Sequence, residues 1–180
     1  MRMVGFCGGS RIIELGSSSD MQAFFNAISK FVLQSDNNTD YNPITDRLYR
    51  RYLKIEELEK ATMLMEKIKS ILKTISCQEI NFTELELDIK NTKLDIKKHN
   101  LFELFEVYFS AFEVCVESCL DFYRRYNENE PVKIIFTDTA WYMYESLRTL
   151  PEYDEHEGVP FWFATKDNDY GLPKPAKLRQ

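Results

Sequence analysis

The sequence predicts one α+β domain of 180 residues, with an N-terminal β-hairpin, several amphipathic helices and a small antiparallel sheet. Three observations carry this prediction. Two short apolar segments flank Gly8-Gly9-Ser10, a pattern typical of a hairpin. Apolar residues later recur at three- and four-residue steps, which is the helical period. Residues 132–137 form a short apolar run that fits a buried strand.

The bulk composition is that of a globular protein. Hydrophobic residues make up 44% of the chain and charged residues 29%, close to the usual proportions. No apolar run approaches the roughly 20 residues of a membrane span, and no signal-peptide core precedes the first strand. We therefore expect a cytoplasmic protein that is not bound to a membrane. We include the whole chain, 1–180, in the domain, with an irregular segment rich in proline and glycine from about residue 151.

The N-terminal elements follow in order. Residues 3–7 and 11–15 are the two hairpin strands. Ser17-Ser18-Ser19-Asp20 supplies N-cap candidates for an amphipathic helix over residues 19–34. Pro43 suits the first turn of a short helix whose inner face is Ile44, Leu48 and Tyr49.

The middle of the chain has one helical and one alternating pattern. Residues 55–75 carry an apolar stripe at helical spacing and predict a long amphipathic helix. Residues 79–96 alternate between apolar and polar side chains. This alternation predicts a β-hairpin or two loosely paired strands.

Residues 101–126 predict a long helix that is apolar over most of its circumference and hence largely buried. Its polar side chains recur at three- and four-residue steps, and no basic residue lies between 101 and 123. We expect them along one edge of the helix: Glu103, Glu106, Ser110, Glu113, Glu117 and Asp121. Residues 141–150 fit either a helix or a strand.

Most of the negative charge lies in one stretch. The formal net charge is −6, yet residues 101–158 alone hold thirteen acidic and four basic side chains. Such a stretch repels phosphate and attracts basic surfaces. A direct nucleic-acid ligand is therefore disfavoured, and a basic partner protein is favoured.

No pattern in the sequence indicates a catalytic centre. Gly8-Gly9-Ser10 lacks the spacing of a phosphate-binding loop. The cysteines, which include Cys115 and Cys119 at helical i, i+4 spacing, are interpreted as reduced core thiols. His99 fits a solvated cap, and His156 lies in the acidic segment 154–157, which could hold a metal or be merely solvated. We expect no enzyme activity, no metal and no cofactor.

The acidic helix edge has two interpretations. A charged stripe is usually a solvated face. This stripe, however, has a single sign, which costs a few tenths of a kcal/mol per i, i+4 pair, and the acidic segment around Tyr153 continues it. An aromatic ring among carboxylates suits contact with Arg and Lys. The predicted partner-binding residues are Glu113, Glu117, Asp121, Tyr153, Asp154, Glu155 and Glu157.

The N-terminal third resembles a known family. The residues that carry the resemblance are Val4-Gly5, the segment Ile12-Ile13-Glu14-Leu15-Gly16-Ser17, Phe24-Phe25, Leu48-Tyr49 and Glu56-Glu57-Leu58. Together they resemble immunity protein family 70 of bacterial polymorphic toxin systems. The resemblance covers roughly residues 3–75 and extends to the helix at Leu101, whereas the chain after Pro131 does not match.

The resemblance implies an α+β cytoplasmic protein without enzymatic activity that neutralises a toxin domain delivered by a neighbouring cell, as in contact-dependent growth inhibition. Many such toxins are nucleases with basic clefts, which an acidic inhibitor can cover. An EndoU-like or other tRNA-cutting nuclease is the toxin we expect. Two alternatives stay open: a metal-dependent enzyme using residues 154–157, and a structural adaptor that pairs with itself.

Overall fold

The protein folds around a four-stranded antiparallel sheet, which confirms the predicted α+β class. A computed structural model describes residues 3–137, Pro160 and Trp162. The strands are β1 (Met3–Gly8), β2 (Arg11–Ser17), β3 (Tyr52–Leu53) and β4 (Val132–Phe136), in the order β2-β1-β4-β3. The two central strands are almost completely buried along their lengths. This burial is why residues 132–136 show no alternation of apolar and polar side chains.

Five α-helical segments pack around this sheet: α1 (Ser18–Ala27), α2 (Leu33–Ser35), α3 (Leu58–Leu72), α4 (Leu101–Leu104) and α5 (Glu106–Tyr126). A π-helical segment, Ile28–Val32, joins α1 to α2. The helix predicted over 19–34 therefore exists as one continuous helical segment whose middle has π-helical hydrogen bonding. Ser17 is its N-cap and forms a capping box with Asp20. The short helix predicted at Pro43 is also present, as the π-helical segment Pro43–Leu48.

The N-terminal hairpin forms as predicted, and its glycines are explained by helix α5. Gly9 has a φ of +56°, a conformation that L side chains rarely adopt. A Cβ atom at Gly8 would lie 2.6 Å from the carbonyl oxygen of Cys115, and one at Gly9 would lie 2.3 Å from that of Ser118. The hairpin tip therefore rests directly on the backbone of α5, and the Ser10 amide donates to Ser118 Oγ at 3.1 Å.

The core is centred on Phe24 of α1. Its ring lies 5.2 Å from the ring of Tyr108 and 5.3 Å from that of Phe105, measured between centroids. Phe25 and Phe109 complete its ring contacts at 5.4 and 5.5 Å. Aromatic pairs of this kind add to the stabilisation from apolar burial. This cluster joins the N-terminal helix to the long helix.

The predicted helix over 55–75 is confirmed with shorter bounds. A 3₁₀ turn, Ile55–Glu57, precedes α3. The spacing predicts a stripe of six residues, Leu58, Ala61, Leu64, Ile68, Ile71 and Ile75. The buried face of α3 includes the first four of them. Ile71 and Ile75 pack against the core with part of their surface exposed.

The hairpin predicted over 79–96 is wrong. Two 3₁₀ turns, Cys77–Glu79 and Phe82–Leu85, lie in this region, and turns follow them. The side chains of Asn81, Asp88 and Asp95 each accept a hydrogen bond from the backbone amide two residues later. These local bonds use amides that a strand would present to its neighbour. Leu85 and Leu87 of this run are buried, whereas Ile89 is 48% exposed.

The long helix differs from the prediction in two ways. Phe105, with φ −105° and ψ 17°, separates α4 from α5, so the helix is not continuous over 101–126. The burial of α5 also ends at Cys119, because residues 123–126 are all exposed. The prediction of a largely buried helix holds only for its first part.

Trp162 lies in the core of the domain. Its indole is buried against Phe25 and Tyr49, and its Nε1 donates to the carbonyl oxygen of Tyr49 at 2.8 Å. The chain thus returns to the domain after residue 137. None of the helices described combines the length and apolar character needed to cross a bilayer.

Candidate functional site

The carboxylates of α5 lie on one exposed face of the helix. We call Glu106, Glu113, Glu117 and Asp121 the acidic edge. The three glutamates are exposed and Asp121 is about half-exposed, at 51% of its side-chain surface. Ser110 lies among them and is also exposed. The helical spacing therefore places these side chains as the sequence predicts.

Two carboxylates of the acidic edge form ion pairs within the chain. Lys69 of α3 lies 2.8 Å from Glu113 and 2.8 Å from Glu66. Burial lowers the pKa of Lys69, but the hydrogen bonds that it donates to Glu113 and Glu66 outweigh this effect, so the net pKa is raised. Asp121 pairs with Arg125 at 3.0 Å, one helical turn later.

Glu103 lies outside the acidic edge and serves the fold. Its Oε2 accepts from the backbone amide of His99 at 3.2 Å, just before α4 begins. His99 itself is exposed, as expected for a solvated cap. Among the residues that the structure describes, Glu106 and Glu117 form no ion pair. They are the carboxylates of α5 that remain available to a partner.

The role of Lys69 could not be read from local sequence. Lys69 lies 44 positions before Glu113, and only the packing of α3 beside α5 brings the two together. The positive charge of Lys69 partly neutralises the acidic edge at Glu113, in the middle of the row. The side chain of Lys69 is only 17% exposed, so this pair is less screened by solvent than a typical surface pair.

The other predicted contact residues, Tyr153, Asp154, Glu155 and Glu157, lie outside the described residues. The same holds for His156 and for the metal site considered there. Within 3–137, 160 and 162, no group of three or more His, Cys, Asp or Glu side chains is arranged to hold a metal ion.

The four cysteines are core residues, as predicted. All are buried and carry no disulfide. Burial raises the pKa of Cys115 to about 12 and that of Cys119 to about 12, from an ordinary value of 9.0. Burial also raises the pKa of Cys77 to about 11. These thiols stay protonated at neutral pH and are poor nucleophiles.

The raised thiol pKa values predict a loss of stability at alkaline pH. In the unfolded chain a thiol releases its proton near pH 9, whereas the folded chain retains it until about pH 12. The contribution is therefore complete below pH 9 and is lost as pH rises through this window. The urea midpoint, measured in reductant, should stay level from pH 7 to 8 and fall from pH 9 to 10.5. The Cys115→Ala/Cys119→Ala variant should show a shallower fall, and an unchanged slope would contradict the prediction.

Fold and surface together define an α+β protein with a four-stranded antiparallel sheet and an acidic helix edge. The chain matches no known protein-family model, no curated protein and no solved structure.

Proposed function

We propose that this chain is an immunity protein, which binds a basic toxin domain in the bacterial cytoplasm and neutralises it without catalysis. The observation that carries the proposal is the acidic edge of α5, an exposed row of carboxylates with two members unpaired among the described residues. A row of one sign steers an oppositely charged partner and raises its association rate.

The charge and the resemblance contribute differently. Net charge and the acidic stretch 101–158 favour a basic protein surface over a polyanion. The resemblance of residues 3–75 to immunity protein family 70 is what makes that partner a toxin. A nuclease of the EndoU-like, tRNA-cutting kind has the basic cleft that such a surface would cover. The segment 152–157 around Tyr153 is proposed as a second contact region.

Charge reversal of the unpaired carboxylates should slow the binding of this toxin. We expect Glu106→Lys/Glu117→Lys to lower the association rate about tenfold at low ionic strength, because electrostatic steering is lost. The difference should shrink at high salt. If the neighbouring reading frame encodes a large secreted protein, its C-terminal domain is the toxin to test, and the measurement is stopped-flow binding at several salt concentrations.

A matched control carries the same change of charge elsewhere. Glu59→Lys/Glu79→Lys alters two exposed carboxylates outside α5 and should leave most of the association rate intact. Equal effects from both variants would show that net charge alone matters and would remove the acidic edge from the proposal. Failure of the unaltered chain to inhibit the neighbouring toxin domain would overturn the immunity function itself.

A further inference from the structure

The last two turns of α5 extend beyond the core and expose the face that the rest of the helix buries. Cys115, Cys119, Phe122 and Tyr126 follow one another at steps of four, three and four residues, so they share one face. Cys115 and Cys119 are fully buried, whereas Tyr126 is 59% exposed. We call residues 120–126 the helix end.

The helix end carries an aromatic surface. The rings of Phe122 and Tyr126 lie 4.7 Å apart, and Tyr123 beside them is 41% exposed. The stripe that is buried earlier in α5 continues here as exposed aromatic surface. Such rings are characteristic of a protein contact surface. Each ring is rigid. The tyrosine rings also carry a hydroxyl group that can stay hydrated at the edge of an interface.

Charges beside these rings indicate which partner fits. Along the helix the order is acidic and then basic, with Glu117 and Asp121 before Arg124 and Arg125. Two copies of a helix with this order, packed antiparallel, place the Asp121 carboxylate of each opposite the Arg125 guanidinium of the other. The rings of Phe122 and Tyr126 then meet across the same two-fold axis. Such a self-complementary surface is what a symmetric dimer requires.

We propose that the helix end is a dimerisation surface whose partner is a second copy of this chain. The surface spans about two helical turns, which places the dimer among the small, weak interfaces. Glu106 and Glu117 lie on the opposite side of α5 from Phe122 and Tyr126, because the helical period separates the two faces. The proposal is independent of the toxin-binding function and leaves Glu106 and Glu117, the unpaired members of the acidic edge among the described residues, accessible.

A charge exchange between two chains tests the antiparallel arrangement. Arg125→Glu alone places a second carboxylate opposite Asp121, and Asp121→Arg alone opposes two guanidinium groups. In sedimentation at low salt, each variant should dimerise at least about tenfold more weakly than the unaltered chain. An equimolar mixture of the two should regain the dimer. The mixture restores pairs between chains but not the Asp121–Arg125 pair within one helix, so recovery reports the intermolecular contact.

The rings provide a second measurement. Tyr126→Ala should shift the weight-average mass towards the monomer value of 21.3 kDa, and Met63→Ala, at an exposed apolar position on α3, should not. A mass that stays monomeric for the unaltered chain at about 500 µM, a concentration at which a dimer with a dissociation constant of roughly 1 mM would still be detected, overturns the proposal. So does a dimer that neither Tyr126→Ala nor the charge variants weaken, because its contact would then lie elsewhere.

Discussion

Replacing Phe24 by alanine is expected to lower the free energy of unfolding by about 3–5 kcal/mol, the range for a buried aromatic residue. Phe24 is completely buried. Its ring contacts four other rings, those of Phe25, Phe105, Tyr108 and Phe109. The substitution leaves a cavity where α1 meets α5. The neighbouring rings cannot close it, because α1, α5 and the junction between α4 and α5 fix their positions. Urea unfolding monitored by circular dichroism measures the loss.

Phe31→Ala is the matched control for this substitution. Phe31 lies in the same helical run but is only partly buried, so we expect a loss of about 1 kcal/mol. A loss at Phe24 no larger than that at Phe31 would show that the aromatic cluster does not organise the core. Phe24→Leu should recover part of the stability, since it refills some of the volume.

Replacing Asp20 by alanine is expected to cost about 3 kcal/mol, from unsatisfied polar groups rather than from a cavity. The Asp20 side chain is 1% exposed. It accepts from Thr92 Oγ1 at 2.6 Å, from the Lys93 amide at 3.2 Å and from the Ser17 amide at 3.4 Å. Alanine leaves one buried donor, the Ser17 amide, and two partly buried donors without this acceptor. It also removes a negative charge from the first turn of α1.

The consequence should reach a segment distant in sequence. Because Asp20 holds Thr92 and Lys93 against the start of α1, its loss should release the turns around them. Amide hydrogen exchange at Lys93 should accelerate in Asp20→Ala, and Asp20→Asn should lose about half as much stability, since it keeps one acceptor oxygen. Asp40→Ala is the control, because among the described residues this exposed carboxylate accepts only from the Asn42 amide. Equal losses at residues 20 and 40 would contradict the role of Asp20.

Helical periodicity was a reliable guide where a segment has one apolar face. The spacing of Leu58, Ala61, Leu64 and Ile68 predicted the buried side of α3. The run Ser17-Ser18-Ser19-Asp20 was predicted to supply the N-cap, because short polar side chains bond well to the free amides of a first turn, and Ser17 and Asp20 form the capping box. Both predictions depend on neighbours within four residues, which the sequence contains.

Alternation was a poor guide at residues 79–96. Here most of the alternating apolar residues face the core, although Ile89 is exposed. Asn and Asp side chains bind the local backbone and replace strand pairing. The break between α4 and α5 at Phe105 was also missed by the sequence. Its ring packs between Phe24 and Tyr108, and this contact with a distant helix has no counterpart in local periodicity.

Local sequence was enough to predict the α+β class, the hairpin, the capped first helix and the single-sign carboxylate row on α5, because each depends on residues close together in the chain. Which of those carboxylates form ion pairs, and which residues of α5 are exposed, depends instead on tertiary packing. Lys69 reaches Glu113 from another helix, and the limits of the sheet and core leave the last turns of α5 exposed. Charge and burial at a surface depend on what packs beside it, and that neighbour comes from another part of the chain.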